Sequence, residues 1–218
     1  IIGAGAMGSA FSIPCAENNN DVTIIGSVLE NDFISSIKSN KNLHPNLKVN
    51  LPNSIKIEKF EKITSAADKE VDLIVVAVSS VGIDWVGDEI SKFYLANTPI
   101  ILLTKGLSII DNQLTTLTEK LEMILKKNSL KNLNISSVKG PCLASSLANK
   151  MRTGTIIANK DIKEAQKIQK IIQTEYYKCE ISDDIEGIEI SSAIKNLYSM
   201  LIGGSQGLSN PAASNEIQ

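Results

Sequence analysis

The feature that most constrains this chain is a glycine-rich turn near its start, Gly3-Ala4-Gly5-Ala6-Met7-Gly8, which follows two isoleucines. The glycines have the G-x-G-x-x-G spacing that joins a β-strand to an α-helix. In such a turn the first glycine permits the tight bend, the second lets the backbone approach a pyrophosphate, and the third lets helix and strand pack closely. The following helix would direct its free N–H groups and its positive dipole end at the anion. The turn therefore indicates a dinucleotide site.

The residues after the turn supply the context that this motif requires. Apolar residues at helical spacing follow it, and residues 21–26 form a buried strand pattern, which completes a βαβ unit. An acid at the tip of that strand would accept a hydrogen bond from the ribose 2′-hydroxyl, whereas a nearby arginine would favour a 2′-phosphate. This chain has Gly26 and Ser27 there, and we interpret Glu30 as a solvated acid in the first turn of the next helix. The choice between NAD and NADP stays open.

The rest of the chain alternates between strand and helix patterns. The clearest central strand, residues 71–78, is continuous, apolar and rich in β-branched residues, as a strand covered on both faces should be. Further strands are predicted over residues 99–103, 135–138, 153–158 and 176–181, and helices over 113–127 and 142–150. This order predicts an α/β fold with a doubly wound, mostly parallel sheet of the Rossmann type. From Asp183 onward the pattern is one long helical run, so we predict a dinucleotide-binding domain over 1–182 and the beginning of a helical domain over 183–218.

Composition excludes several classes of function. The net charge of -2, with one histidine and no basic run, gives no reason to expect a nucleic-acid partner or membrane insertion. Three cysteines without paired spacing argue against a disulfide framework or a metal site and fit a reduced, cytoplasmic setting. The histidine, His44, lies in a polar loop and is predicted to be a surface residue.

Two lysines stand out as candidates for chemistry. Lys105 follows the strand at 99–103, so it should lie at the carboxyl edge of the sheet together with the glycine turn. Lys195 is the single charged residue between Glu189 and Glu216, on a helix whose apolar stripe predicts deep packing. A surface helix usually offers several charges, so we predict that Lys195 is buried and suited to proton transfer.

Four segments in series resemble the glycerol-3-phosphate dehydrogenase family that uses NAD or NADP: the glycine turn, Thr104-Lys105-Gly106-Leu107, Gly140-Pro141 and Ala193-Ile194-Lys195-Asn196. The resemblance covers essentially the whole chain. It implies a cytoplasmic homodimeric oxidoreductase that interconverts sn-glycerol 3-phosphate and dihydroxyacetone phosphate by hydride transfer. That activity would supply glycerol 3-phosphate for phospholipid synthesis. The implied partner is a small phosphorylated substrate, and no metal is implied.

The resemblance also assigns residues to roles. Lys195 matches the family's proton acceptor. The implied substrate contacts are Lys105, Gly140, Cys142, Lys195 and Asn196. The implied cofactor contacts are Gly3, Gly5, Ala6, Met7, Gly8, Ser27, Lys105 and Ala144. Cys142 replaces the serine or threonine that usually follows the Gly-Pro pair, and a thiol is a weaker hydrogen-bonding group than a hydroxyl. The family's remaining substrate residues lie beyond residue 218, so we expect the second domain to be only begun.

Two alternatives remain at this point. A β-hydroxyacid or ketopantoate-type reductase would also combine a dinucleotide domain with a helical domain and a lysine. Such hydroxyacid enzymes typically have asparagine four residues after the lysine, where this chain has Ser199, and the adjacent Asn196 favours the phosphorylated substrate. The second alternative is a non-catalytic NAD(P)-binding protein, if the chain truly ends at residue 218.

Overall fold

The computed structural model describes residues 1–67 and 71–209, which form an α/β fold around a central sheet. The strands are β1 (Thr23–Ile25), β2 (Leu43–His44), β3 (Val49–Asn50), β4 (Lys56–Glu58), β5 (Ile74–Val76), β6 (Pro99–Leu102), β7 (Leu107–Ile110), β8 (Gln113–Thr116), β9 (Asn134–Lys139), β10 (Thr153–Ala158) and β11 (Tyr177–Ser182). The helices are α1 (Ala6–Glu17), α2 (Asn31–Ser39), α3 (Ile63–Ala67), α4 (Ile83–Ser91), α5 (Leu117–Lys127), α6 (Ala144–Ala148), α7 (Ile162–Ile172) and α8 (Ile185–Ser209).

The central sheet is mostly parallel. Its order runs β4, β1, Ile2, β5, β6, β9, β10, β11, with Ile2 bridging in parallel to Ile25 and Val76. Every pairing between these strands is parallel except that of β9 with β10, which is antiparallel. The connection from β9 to β10 contains only the short α6 and does not return the chain to the other end of the sheet. The predicted α/β, doubly wound, mostly parallel fold is confirmed.

Alternate residues of the central strands enter two separate hydrophobic cores. Val75 and Ile101 pack with helices α1, α2, α6 and α7, whereas Val76 and Leu102 pack with α3, α4 and α5. Because successive side chains of a strand point to opposite faces, a continuous apolar strand can fill both cores at once. The helices therefore lie on both faces of the sheet.

Two predicted helices are shorter than expected. Residues 113–116 belong to β8, which pairs with β7 in an antiparallel hairpin, and α5 begins only at Leu117. The hairpin turns at Asp111 and Asn112, whose φ values of 49° and 59° match the two-residue turn that joins twisted strands. The helix expected over 142–150 is reduced to Ala144–Ala148.

Helix α8 confirms the helical run predicted after residue 183, but its predicted deep packing is wrong. Glu189 is buried, whereas the described large apolar residues beyond it are exposed. They are Ile190, Ile194, Leu197, Tyr198, Met200, Leu201, Ile202 and Leu208. Across residues 1–67 and 71–209, no helix is both long enough and apolar enough to cross a membrane. The division into domains at residue 183 stays a prediction.

Candidate active site

The glycine turn is built so closely that side chains at two of its glycines would collide with backbone. Gly3 has φ of +111°, and a Cβ there would lie 2.7 Å from the Ala77 carbonyl oxygen. A Cβ on Gly8 would lie 2.3 Å from the Gly3 carbonyl oxygen. The segment at Ile2 and Gly3, helix α1 and the end of β5 therefore meet at distances that only glycine allows.

The peptide groups of Ala4 are fixed from both sides. Its carbonyl oxygen accepts hydrogen bonds from Ser9 Oγ at 3.0 Å and from His44 Nε2 at 3.2 Å. The Leu47 N–H donates to Nδ1 of the same imidazole at 3.2 Å, so Nε2 is the nitrogen that carries hydrogen. The amide N–H of Ala4 donates to Glu30 Oε2 at 3.2 Å. The turn is held in shape by these contacts within the protein.

The interpretation of His44 as a surface residue is wrong. His44 is fully buried, and its ring packs edge-on against Phe33 with centroids 5.1 Å apart. The hairpin of β2 and β3 folds back and brings the imidazole to the glycine turn. Burial lowers the pKa of His44 below its ordinary value of 6.5, partly offset by its hydrogen bond to Ala4. A lone histidine before proline in a polar loop gave no signal of this position.

The interpretation of Glu30 as a solvated helix acid is also wrong. Its Oε2 accepts from the Ser27 N–H at 2.7 Å as well as from the Ala4 N–H. The acid absent from the strand tip in the sequence is therefore provided three residues later. The chain turns between Ser27 and Glu30, with the Glu30 N–H donating to the Ser27 carbonyl at 3.0 Å, and so returns the carboxylate to the tip of β1.

The turn has the features of a pyrophosphate cradle. Gly5 is the N-cap residue of α1, and no side chain caps this helix. A Cβ placed on Gly5 would have Glu30 Oε1, 4.0 Å away, as its nearest neighbour. The space beside Gly5 is thus open, in contrast to Gly3 and Gly8, and the first N–H groups of α1 border it. The residues present fit a dinucleotide.

Lys105 and Lys195 come together although 90 residues separate them in the sequence. Partial desolvation, and next the neighbouring ammonium of Lys195, lower the pKa of Lys105. Gly106 follows with φ of +135° and turns the chain into β7. Lys195 is half-buried, so its predicted full burial is not found in the described part of the chain. The side chain of Asn196 lies outside what the structure describes.

A small cavity of about 20 Å³ lies between the glycine turn and Lys105. Met7, Lys105, Lys139, Gly140 and Cys142 are among its lining residues. Burial raises the pKa of the Cys142 thiol, which Lys105 and Lys195 partly oppose, so a thiolate is disfavoured at this site. The structure thus brings Met7, Lys105, Gly140 and Cys142, which the sequence analysis predicted as cofactor or substrate contacts, to the lining of one cavity.

The tight packing around Gly140 explains why this position has no side chain. A Cβ on Gly140 would lie 2.8 Å from the Thr155 Cα and 2.9 Å from the Gly154 carbonyl oxygen. Thr155 Oγ1 also donates to the Lys139 carbonyl at 2.7 Å, which fixes the end of β9. Cys142, two residues after Gly140, lines the cavity next to this fixed point.

The sequence interpretation missed a buried ion pair beneath the site. Lys139 Nζ lies 3.1 Å from Glu189 Oε1, and both side chains are almost completely buried. Lys139 also donates to the Leu102 carbonyl at 2.9 Å and to Ser137 Oγ at 2.8 Å. Ser137 Oγ and the Thr118 N–H donate to the two oxygens of Glu189 at 2.7 and 3.1 Å.

This ion pair connects the segments that carry the site. Leu102 lies three residues before Lys105, and Lys139 lies three residues before Cys142. Glu189 lies six residues before Lys195. The available signals were a lysine at the end of a strand, and an acid followed by a long stretch whose single charge is Lys195. Nothing in the spacing indicated that the two would meet.

Within the described residues, no group of three or more His, Cys, Asp or Glu side chains could hold a metal ion. The three cysteines are all buried, and burial raises the pKa of the Cys15 and Cys179 thiols to about 12. Among the described residues at this edge of the sheet, the two lysine ammonium groups and the backbone amides of the turn can offer positive charge to an anionic ligand.

Known proteins are similar to this chain at two levels, a family model for its first 165 residues and individual relatives over about 95% of its length. Residues 1–165 match the family model for the NAD-dependent glycerol-3-phosphate dehydrogenase N-terminus. A relative from Archaeoglobus fulgidus, the NADP(+)-dependent glycerol-3-phosphate dehydrogenase, is 35% identical over 210 residues, which is 95% of this chain and 60% of the relative. A glycerol-3-phosphate dehydrogenase [NAD(P)+] from Mesoplasma florum is 29% identical over 94% of this chain and 58% of its own length.

Solved structures share the fold. The glycerol-3-phosphate dehydrogenase of Plasmodium falciparum has a TM-score of 0.79 at 22% identity, over 99% of this chain and 60% of that chain. The enzyme from Coxiella burnetii has a TM-score of 0.76 at 20% identity, over 95% of this chain and 60% of that chain. The chain thus spans about 60% of the length of the curated relatives it matches.

Proposed function

The chain belongs to the NAD-dependent glycerol-3-phosphate dehydrogenase family, whose N-terminal model it matches. We propose that the protein interconverts sn-glycerol 3-phosphate and dihydroxyacetone phosphate. The observation that carries this proposal is the meeting of Lys105 with Lys195, beside the cavity that Met7, Gly140 and Cys142 line. A cationic pair next to a dinucleotide cradle suits a small anionic substrate whose carbonyl is to be reduced.

The residues of the glycine turn would hold the dinucleotide. Ala6 and Met7, in the first turn of α1, would present N–H groups to the pyrophosphate at the open side of Gly5. Gly3 and Gly8 keep the turn closed, and Ser27 and Ala144 would contact the two ends of the cofactor. When bound, the nicotinamide supplies a hydride to the substrate carbon or accepts one from it.

The lysines would supply the charge and the proton. Lys195 Nζ would hold the proton that goes to the carbonyl oxygen during reduction and would take it back from the hydroxyl during oxidation. Lys105 would contact cofactor and substrate, and its ammonium next to Lys195 would favour the anionic substrate. Gly140, Cys142 and Asn196 would complete the substrate contacts. A positioned acid–base group typically contributes about 10²–10⁴-fold in rate.

The broader biological assignments also remain proposals. We infer a cytoplasmic homodimer that supplies glycerol 3-phosphate for phospholipid synthesis and that binds no nucleic acid. The family resemblance supports the first three, and the near-neutral charge of -2 supports the last.

Replacement of Lys195 tests the mechanism. Lys195→Ala should lower turnover of dihydroxyacetone phosphate by about 10²–10⁴-fold while NADH or NADPH still binds, because only the proton donor is lost. Lys163→Ala, which removes an exposed lysine from α7, is the matched control and should leave turnover unchanged. Undiminished turnover in Lys195→Ala would refute the role of Lys195.

A substrate comparison separates the alternatives. Dihydroxyacetone phosphate should be reduced in preference to short keto acids with either nicotinamide cofactor. Preference for a keto acid would favour the hydroxyacid-type reductase, and tight cofactor binding without any turnover would favour the non-catalytic protein.

A further inference from the structure

The family model and the relatives that match this chain differ in whether they are named for NAD or for NADP. The family model is named for NAD, whereas the Archaeoglobus fulgidus relative is named for NADP(+). We propose that Glu30 makes this chain select NAD(H) over NADP(H), by accepting a hydrogen bond from the adenosine ribose and by repelling a 2′-phosphate. This inference rests on the proposed dinucleotide site and asks which dinucleotide that site prefers.

The carboxylate of Glu30 lies where β1 ends and the glycine turn begins. Its Oε2 accepts from two backbone N–H groups, those of Ser27 at 2.7 Å and Ala4 at 3.2 Å. Hydrogen bonds from two N–H groups that belong to different loops fix the position and orientation of the carboxylate. Ser27 is at the strand tip, where the adenosine ribose is bound in folds of this class.

The second oxygen of Glu30 is the one available to a ligand. Within residues 1–67 and 71–209, both hydrogen bonds to the carboxylate go to Oε2, and Oε1 accepts none. It lies 4.0 Å from the position of a Cβ on Gly5, so it borders the open side of the glycine turn. An anionic oxygen in this position can accept from a ribose hydroxyl, and it offers no donor to a phosphate.

Among the described residues, no ion pair or hydrogen bond brings a cation to the Glu30 carboxylate, so none is in place there to neutralise a 2′-phosphate. Residues 26–31 contain no lysine or arginine. Lys38 pairs with Glu58 at 3.3 Å, and Lys56 pairs with Asp21 at 2.9 Å. Lys59 follows β4 but is exposed, and a solvated lysine offsets a fixed like-charge contact only weakly.

His44 cannot take the place of a cation here. Its Nε2–H is directed at the Ala4 carbonyl and its Nδ1 accepts from Leu47, so both ring nitrogens are engaged. Juxtaposed like charges are unfavourable at an interface, so one uncompensated pair should give discrimination of at least about tenfold.

The test measures binding and needs no turnover. The purified protein is titrated with NADH and with NADPH, and the dissociation constants are taken from the change in nicotinamide fluorescence. NADH should bind at least about tenfold more tightly than NADPH. Competition by 5′-AMP and by adenosine 2′,5′-bisphosphate repeats the comparison without the nicotinamide, and the bisphosphate should be the weaker competitor.

Glu30→Gln is the decisive variant because its amide oxygen can still accept from Ser27 and Ala4, while its NH₂ group would replace Oε1. The ratio of the two dissociation constants should fall to near one, chiefly through tighter NADPH binding. Asp32→Asn is the matched control, since it removes one exposed carboxylate from the first turn of the same helix, and it should leave the ratio unchanged.

The outcomes separate this inference from the proposed function. Equal or tighter binding of NADPH by the unaltered protein would overturn the selectivity while leaving the dinucleotide site intact. An equal change in Glu30→Gln and Asp32→Asn would overturn the role of Glu30. Binding of neither dinucleotide would refute the site itself and the inference with it. If Glu30→Gln does not fold, the competition by the two adenosine phosphates still decides.

Discussion

The glycine turn and helix α8 carry the two parts of the proposed site, and they are held in different ways. The turn is held by close contacts on all sides except beside Gly5: Gly3 and Gly8 touch neighbouring backbone, and Ala4 is hydrogen-bonded to His44, Ser9 and Glu30. Helix α8 is fixed at its beginning, and the described residues leave the apolar side chains after Glu189 exposed.

The difference shows that one part of a site can be preorganised by many local contacts while another part depends on a single distant contact. Many local contacts determine the cofactor side, so no single polar bond carries it. The position of Lys195 depends largely on the buried contact between Lys139 and Glu189, which joins α8 to the sheet six residues earlier. Substitutions at the two regions should therefore have different consequences.

The largest effect is expected from breaking that contact. Lys139→Met leaves the Glu189 carboxylate buried without its cation, and such a change typically costs about 3–5 kcal/mol of stability. Urea denaturation would measure the loss. The double variant Lys139→Met/Glu189→Leu should regain most of it, because no unpaired charge remains, and Lys56→Met at an exposed pair should change little. Wild-type stability in Lys139→Met would show that α8 has another anchor.

A substitution within the turn should come next. Gly8→Ala places a Cβ 2.3 Å from the Gly3 carbonyl oxygen, so helix and strand must separate, at a cost of about 3 kcal/mol. Thermal unfolding and loss of NADH binding would report it. Gly154→Ala is the control, because its Cβ would meet the Lys178 carbonyl oxygen at an ordinary 3.5 Å. Equal effects at the two glycines would contradict the tight turn.

The pH dependence of stability should reveal the buried His44. Its pKa in the folded protein is lowered from 6.5 by burial, so the unfolded chain binds more protons in the window just below pH 6.5. Stability should therefore be complete above that pH and fall as the pH drops toward the folded pKa, by at most about 1.4 kcal/mol per pH unit.

The control for this prediction is the pH dependence of stability of the His44→Gln variant. The difference between the two profiles isolates the imidazole from every other group, since the chain has one histidine. Parallel profiles would mean that His44 is accessible to protons in the folded protein, contrary to its burial beside the glycine turn.

The smallest effect concerns the exposed end of α8. A Cβ on Gly204 would meet nothing within 4 Å, so Gly204→Ala should stabilise the helix by about 0.5–1 kcal/mol through its higher helix propensity. Thermal unfolding checks the sign. A destabilised variant would show that another surface packs closely on this face in the protein, and it would weaken the contrast between the two regions.

Local sequence patterns were sufficient to predict those elements whose structure depends on the spacing of residues along the chain. The glycine spacing predicted the βαβ turn, and the apolar run at 71–78 predicted a strand covered on both faces, which β5 confirms with residues in both cores. Helix predictions failed at 113–116 because the left-handed residues Asp111 and Asn112 make a hairpin that propensity does not reveal.

Contacts between distant segments could not be read in the same way. Glu30, His44, Lys139 and Glu189 each appear ordinary in their local sequence, since a single polar residue has no periodicity. Each gains its role from a partner more than 20 residues away, as the bonds of Glu30 and His44 to Ala4 show. The burial of Lys195 was overestimated for the same reason. The apolar stripe of α8 indicates which face of the helix could pack, but not whether another element covers it.

The sequence by itself determined the order of strands and helices, the glycine turn, and the two lysines that mark the candidate site, because these depend on spacing along the chain. The tertiary structure decided that Lys105 and Lys195 meet, that Lys139 and Glu189 anchor α8, and that Glu30 closes the tip of β1. The physical reason is that burial and hydrogen-bond partners are set by elements packed from distant parts of the chain.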